Sequence, residues 1–102
     1  MNYATGLRRA RRKSGLSQRK LAKKAGFDAS YITMIEAGRR VPSIEAIERL
    51  AEAMEMPVGL LLLSCADQSD LRGIKEQKAR KLFEQLLNVL EGEGDGGQEK
   101  GR

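Results

Sequence analysis

Hydrogen-bonding and cationic side chains crowd the first forty residues of this chain. Arg8, Arg9, Arg11, Arg12, Lys13, Arg19, Lys20, Lys23, Lys24, Arg39 and Arg40 stand there against Asp28 and Glu36 alone, a local net charge of +9. The whole chain of 102 residues carries +5. Residues 41–69 carry −4, residues 70–81 carry +3 and residues 82–102 carry −3. Positive charge gathered on one segment suits neutralisation of a polyanion such as a nucleic-acid backbone.

Bond-making chemistry finds less support. The chain has no His and one Cys, which excludes a His/Cys metal site and points to no cofactor. Ser17-Gln18-Arg19-Lys20 matches the Ser-x-x-Lys pattern of penicillin-recognising enzymes, but the large scaffold and companion motifs of those enzymes are missing. Ser17 reads better as a helix cap. Gly92-Glu-Gly-Asp-Gly-Gly97 has the glycines of a phosphate-cradling loop without the flanking strand and helix, and reads as linker. Cys65 cannot form an internal disulfide, which fits a reducing cytoplasm, and reads as a small core or boundary residue. The chain is expected not to be an enzyme.

The elements that carry the basic residues read as short helices. Leu, Ile, Ala and Met dominate the apolar set, and the two Tyr and two Phe are the whole aromatic complement. The chain is expected to be all-α. Helix 1 is expected from about Tyr3 to Lys13, with Leu7 and Ala10 inward. Ser17 caps a second helix ending near Ala25, and Gly26 supplies the turn. Asp28 is a suitable N-cap for a third helix over about Ala29–Ala37, which Gly38 stops. Leu21, Ala22, Ala25, Phe27, Ile32 and Ile35 mark one buried seam across this pair. Ser43 caps a fourth helix, with Ile44, Ile47, Leu50, Ala51 and Met54 at the helical period. Pro57 suits the first turn of a fifth, with Val58, Leu61 and Leu62 as core. Pro57–Ala66 is too short to span a bilayer, and the basic start is not followed by the apolar run of a signal peptide.

Asp67–Asp70 reads as a polar connection, and a sixth helix is expected from about Ser69 to Leu90. Leu82, Phe83, Leu86, Leu87, Val89 and Leu90 nearly encircle its last two turns, the pattern of a helix buried on more than one side. One side is expected to pack near Leu60 and Leu63. A second chain is expected to cover the other, so Leu82, Phe83, Leu86, Leu87 and Leu90 are the expected dimerisation residues. The tail from Glu91 onward has no apolar residue and is expected to be disordered.

Two amphipathic helices around a glycine turn, wrapped in positive charge, form a helix-turn-helix. Residues 7–62 resemble the lambda-repressor-like (Cro/XRE-type) DNA-binding family, a compact five-helix fold. The resemblance rests on Leu16-Ser17-Gln18, Leu21-Ala22, Gly26, Ile32, Ile35-Glu36-Ala37-Gly38, Arg39-Arg40, Pro42-Ser43 and Leu50-Ala51. It implies that Gln18 bonds a DNA phosphate and that Arg39 and Arg40 reach phosphate after helix 3. Lys23 is a further phosphate contact to set against a plainly solvated lysine. The resemblance also implies base reading by the solvent-facing residues early in helix 3, here Ala29, Ser30, Thr33 and Met34. Many relatives carry Gln, Asn or Arg there; this chain offers hydroxyls and methyls, which leaves the target open and gives shape readout a part. In the family an Arg seven residues before the helix 2 Gln pairs with the Glu closing helix 3. Arg11 and Glu36 stand at those positions and imply a structural ion pair.

The organisation expected is a DNA-binding domain over residues 1–66, a C-terminal dimerisation helix over 67–91 and a disordered tail over 92–102. The function expected is that of a cytoplasmic transcriptional regulator, a repressor above all, binding double-stranded DNA as a homodimer on a palindromic operator. No membrane and no small-molecule ligand enter this reading. The alternative is an adapter or antitoxin-like module whose C-terminal helix binds a partner protein.

Overall fold

In the computed structural model, which describes residues 1–94 and side chains as far as Val89, local capping decides where each helix begins. The Asn2 side chain accepts from Thr5 N at 3.0 Å and opens α1, Tyr3–Lys13. The Ser17 hydroxyl accepts from Lys20 N at 3.0 Å and opens α2, Gln18–Ala25. The Ser43 hydroxyl accepts from Ala46 N at 3.0 Å and opens α4, Ile44–Ala53. Between them lies α3, Ala29–Glu36. Asp28 has cap backbone geometry, yet its carboxylate makes no capping bond, contrary to the sequence expectation. The turn is held by its carbonyl instead, which accepts from Tyr31 N at 3.0 Å.

Glycines in the left-handed region end both helices of the central pair: Gly26 has φ 80° and Gly38 φ 78°. Each lets the next amide reach back over the last turn. Phe27 N donates to Ala22 O at 2.8 Å, and Arg39 N donates to Met34 O at 2.9 Å. The second of these bonds fixes where the basic loop leaves α3.

Residues Asn2–Cys65 form one unit and close with α5, Val58–Cys65. Leu21, Ile32, Ile35, Leu50 and Leu61 are fully buried at its centre, with Leu7, Ala22 and Ala51 among them. α1 packs on α3 and α5, α2 on α3 and α4, and α4 on α5. Ala22, at 1 % exposure, leaves room for α3 to cross α2 closely. Phe27 is only half-buried, at the edge of the seam. Ile44 is 62 % exposed rather than core, because it starts α4 and the buried face is carried by Ala46, Ile47, Leu50 and Ala51. Val58 is also outside, at 39 %. The run Val58-Gly-Leu-Leu-Leu-Leu63 is apolar all round, so periodicity does not select a face; Leu61 and Cys65 are the buried pair.

α1 crosses α5 at Gly6. A Cβ there would lie 2.5 Å from Cys65 Sγ, 2.6 Å from Cys65 Cα and 2.9 Å from Ser64 O. Alanine normally favours a helix over glycine by about 1 kcal/mol. Here Gly6→Ala is expected to lower stability by roughly 1–3 kcal/mol, because backbone of α5 must move. Urea unfolding checks the sign.

Met1 and the described residues from Ala66 onward form a second unit. The single helix expected over 69–90 is instead a 3₁₀ turn, Gln68–Leu71, followed after a break by α6, Gln77–Gly94. Asp67 accepts from Ser69 N at 2.9 Å, and Asp70 accepts from Asp67 N at 2.8 Å. This reciprocal box closes the turn, and Gly73 follows it in the break. A new start is made where the Glu76 carboxylate accepts from Ala79 N at 2.6 Å. Leu71 and Leu87 are each 1 % exposed. Residues 91–94, expected in the tail, are helical; residues 95–102 and the Leu90 side chain lie outside what is described. Among the described residues no helix is long and apolar enough to cross a membrane.

Candidate nucleic-acid interface

One carboxylate ties α1, α2 and α3 together. Glu36 ends α3 and is 4 % exposed, the one buried charged residue among those described. Arg11 of α1 meets it in a two-pronged contact, Nε donating to Oε2 at 2.6 Å and Nη2 to Oε1 at 2.9 Å. The third prong, Nη1, donates to Leu16 O at 2.9 Å, on the segment leading into α2. Arg8, one turn earlier, donates Nη2 to the Glu36 carbonyl and holds Nε 3.8 Å from Oε1. Burial alone would raise the Glu36 pKa. Its hydrogen bonds from Arg11 and Gln18 and the charges of Arg11 and Arg8 outweigh that, and hold it below the ordinary value.

Gln18, first residue of α2, belongs to the same network. Its Nε2 donates to Glu36 Oε1 at 2.9 Å, while its Oε1 accepts from Thr33 Oγ1 at 2.8 Å. Both ends of the amide are therefore specified, and one of its two N–H groups remains unspent. The Thr33 hydroxyl also approaches Ala29 O at 3.2 Å. Gln18 and Thr33, assigned to phosphate and base on sequence grounds, thus bond one another.

The other sequence-selected residues fall into two places. Ser30, Thr33 and Met34 stand at i, i+3 and i+4 on α3; Ser30 and Thr33 are exposed, and Met34 and Ala29 half-buried. Arg39 and Arg40 are exposed in the loop after α3. Lys23 is exposed in the last turn of α2, beside Lys24, which lies 3.8 Å from Glu55.

Tyr31, Phe27 and Arg49, which the sequence selection left out, make further contacts around α3, one of them with Arg40. Arg40 Cζ lies 5.2 Å from the Tyr31 ring centroid, and Arg49 Cζ 4.2 Å from that of Phe27. The two rings are 4.8 Å apart and tilted by 45°. Arg49, on α4, also donates Nε to Ala25 O at 3.0 Å and Nη2 to Gly26 O at 2.9 Å, satisfying carbonyls at the end of α2. Arg49 is the lone basic residue between positions 41 and 69, a signal that could have singled it out. Arg8 carried no comparable signal among its basic neighbours.

A family model described as a helix-turn-helix domain matches residues 3–62. Among curated proteins, the HTH-type transcriptional regulator y4dJ of Sinorhizobium fredii is 37 % identical over 46 residues, 45 % of this chain and 60 % of that protein. The transcriptional regulator ClgR of Mycobacterium tuberculosis is 29 % identical over 62 residues, 61 % of this chain and 55 % of that protein. The chain therefore spans between about half and three fifths of these relatives. Among solved structures, the restriction-modification controller protein C.AhdI from Aeromonas hydrophila is similar at 37 % identity and TM-score 0.56, covering 59 % of this chain and 91 % of its own. The clp gene regulator ClgR from Corynebacterium glutamicum is similar at 27 % identity and TM-score 0.60, covering 84 % of this chain and 94 % of its own.

Proposed function

The chain belongs to the Cro/XRE-like helix-turn-helix family of DNA-binding transcriptional regulators, and on that premise we propose that it represses transcription by occupying a palindromic operator as a homodimer. The family is one of regulators rather than enzymes. The observation that carries the reading is the exposed face of α3, with Gln18 bonded beside it to Thr33 and Glu36 and with Arg39 and Arg40 exposed in the loop that follows, on the +9 segment. In this account α3 enters the major groove in the cytoplasm. The unspent N–H of Gln18 meets phosphate, and Arg39, Arg40 and Lys23 neutralise phosphate. Ser30, the Thr33 methyl, Ala29 and Met34 face base edges, with hydroxyl and thymine-methyl contacts in place of bidentate amides. The C-terminal helix holds two such units in register with two half-sites.

Salt titration tests the electrostatic part. The slope of log K against log salt is expected to fall by about 0.9 for each phosphate contact removed. Arg39→Ala with Arg40→Ala is expected to reduce it by roughly 2 per subunit, for specific and nonspecific duplex alike. An unchanged slope would remove both residues from the interface.

The amide network divides the remaining roles. Gln18→Ala is expected to weaken binding to every duplex equally. Ser30→Ala is expected to shift preference at one or two base pairs by about 1–3 kcal/mol. Thr33→Val, which deletes the bond holding Gln18, is expected to do both. If Ser30→Ala and Thr33→Val leave the preferred sequence untouched, α3 does not read bases.

A second reading has its own support. Leu82, Leu86 and Val89 are 63, 40 and 57 % exposed, a surface that also suits an adapter or antitoxin-like module with a protein partner. Such a module has no need of the +9 segment. Elution from heparin only at high salt favours the first reading, and loss at low salt the second.

A further inference from the structure

Four side chains form a ladder from α4, past the turn between α2 and α3, to the basic loop. Arg49 of α4 is its foot. Its Nε and Nη2 donate to Ala25 O at 3.0 Å and Gly26 O at 2.9 Å, and its Cζ stands 4.2 Å from the Phe27 ring centroid. Gly26 permits this approach, because a Cβ there would lie 2.5 Å from Arg49 Nη2. The Phe27 and Tyr31 ring centroids are 4.8 Å apart. Arg40 Cζ lies over the Tyr31 ring, 5.2 Å from its centroid, and closes the ladder. Each step is within the range of an aromatic pair or a cation–π contact.

The two basic residues of the loop are therefore not equivalent. Arg39 is exposed, and its backbone amide is held by Met34 O at 2.9 Å. Among the described residues its side chain meets no ring and no acid. Arg40 is exposed as well, but its guanidinium has a seat. A guanidinium stacks on a ring by its face, and the N–H groups along its edge stay open to an anion. The seat thus orients Arg40 without consuming its donors. It also restricts in advance a long side chain whose rotamer freedom is otherwise lost on binding.

We infer that Tyr31 is a positioning residue for DNA binding, holding Arg40 ready for a phosphate while Arg39 stays free to move. The inference rests on the DNA-binding reading above and gives a task to a ring that the reading leaves idle. The effect runs through Arg40. Removing the ring leaves the Arg40 charge in place and raises the ordering cost of its phosphate contact. Tyr31→Leu is therefore expected to weaken duplex binding about three- to tenfold per subunit, with the salt slope kept. Arg40→Ala, by contrast, is expected to lower the slope by about 0.9 per subunit.

The test places Tyr31→Leu and Tyr31→Phe in wild-type, Arg39→Ala and Arg40→Ala chains and follows duplex binding by anisotropy across salt concentrations. Tyr31→Leu is expected to cost the same in the wild-type and Arg39→Ala chains, and almost nothing in the Arg40→Ala chain. Tyr31→Phe keeps the ring and is expected to recover most of the lost affinity. An undiminished loss from Tyr31→Leu in the Arg40→Ala chain would overturn the proposal, because Tyr31 would then act on the duplex or on the fold by itself. So would a loss from Tyr31→Phe as large as that from Tyr31→Leu. A second measurement needs neither variant nor DNA. In the free wild-type chain the order parameter of Arg40 Nε is expected to exceed that of Arg39 Nε. Arg40 as mobile as Arg39 would overturn the proposal and leave the DNA-binding reading standing. An ordered Arg40 in a chain that binds no duplex at any salt concentration would overturn that reading, and the role of Tyr31 with it.

Discussion

Glu36→Ala is expected to destabilise the five-helix unit by about 3 kcal/mol, lowering Tm by roughly 15 °C. The size follows from what is left behind. Arg11 loses both its charged acceptors, and Gln18 loses the oxygen that orients its amide. A partner charge stranded in a largely buried position costs far more than an exposed pair contributes. Arg11→Ala is expected to approach the same cost, and the double variant to fall well short of the sum. Coupling near zero in that cycle would show that the contact does not hold α1 to α3. The pH dependence has a definite sign. The folded-state pKa of Glu36 is lowered from 4.5, so its contribution is present above that value and is lost as pH falls through the folded-state value. Wild type is therefore expected to lose stability on acidification below about pH 4.5, where Glu36→Gln loses less.

Truncation after Gln68 is expected to leave the helical unit folded but monomeric, with operator affinity lower by about 10²- to 10⁴-fold. The unit Asn2–Cys65 holds its own core, with Leu21, Ile32, Ile35, Leu50 and Leu61 buried within it. What the truncation removes is α6 and, under the proposed homodimer, the linkage that would make binding of the second half-site intramolecular. Circular dichroism, sedimentation and duplex titration separate these consequences. A truncated protein still dimeric at micromolar concentration would move the interface to the five-helix unit, where Val58 and Leu60 of α5 are 39 and 43 % exposed.

The sequence is most legible where one residue type meets one backbone need. Ser17 and Ser43 cap, and Gly26 and Gly38 adopt positive φ, because few other residues do these things cheaply. The buried seam of α2 and α3 is legible because polar residues punctuate it. α5 is not, because an all-apolar run has no period to read. The break before α6 was hidden because apolar spacing continues through Leu71 and Ile74, while the Asp67–Asp70 box and Glu76 impose a stop and a restart. The Arg11–Glu36 contact is legible only through the family spacing. The Arg49 bonds to Ala25 and Gly26 and the Thr33–Gln18 bond join residues brought together by tertiary packing, which local pattern does not report.

Selection of bound sequences from random duplex DNA tests the central claim most directly. The account predicts enrichment of a two-fold-symmetric site with half-sites about one helical turn, roughly 10 bp, apart. It further predicts that Ser30→Ala alters one or two positions in each half-site. Failure to enrich any sequence, at a salt concentration where the protein binds the starting pool, would contradict it.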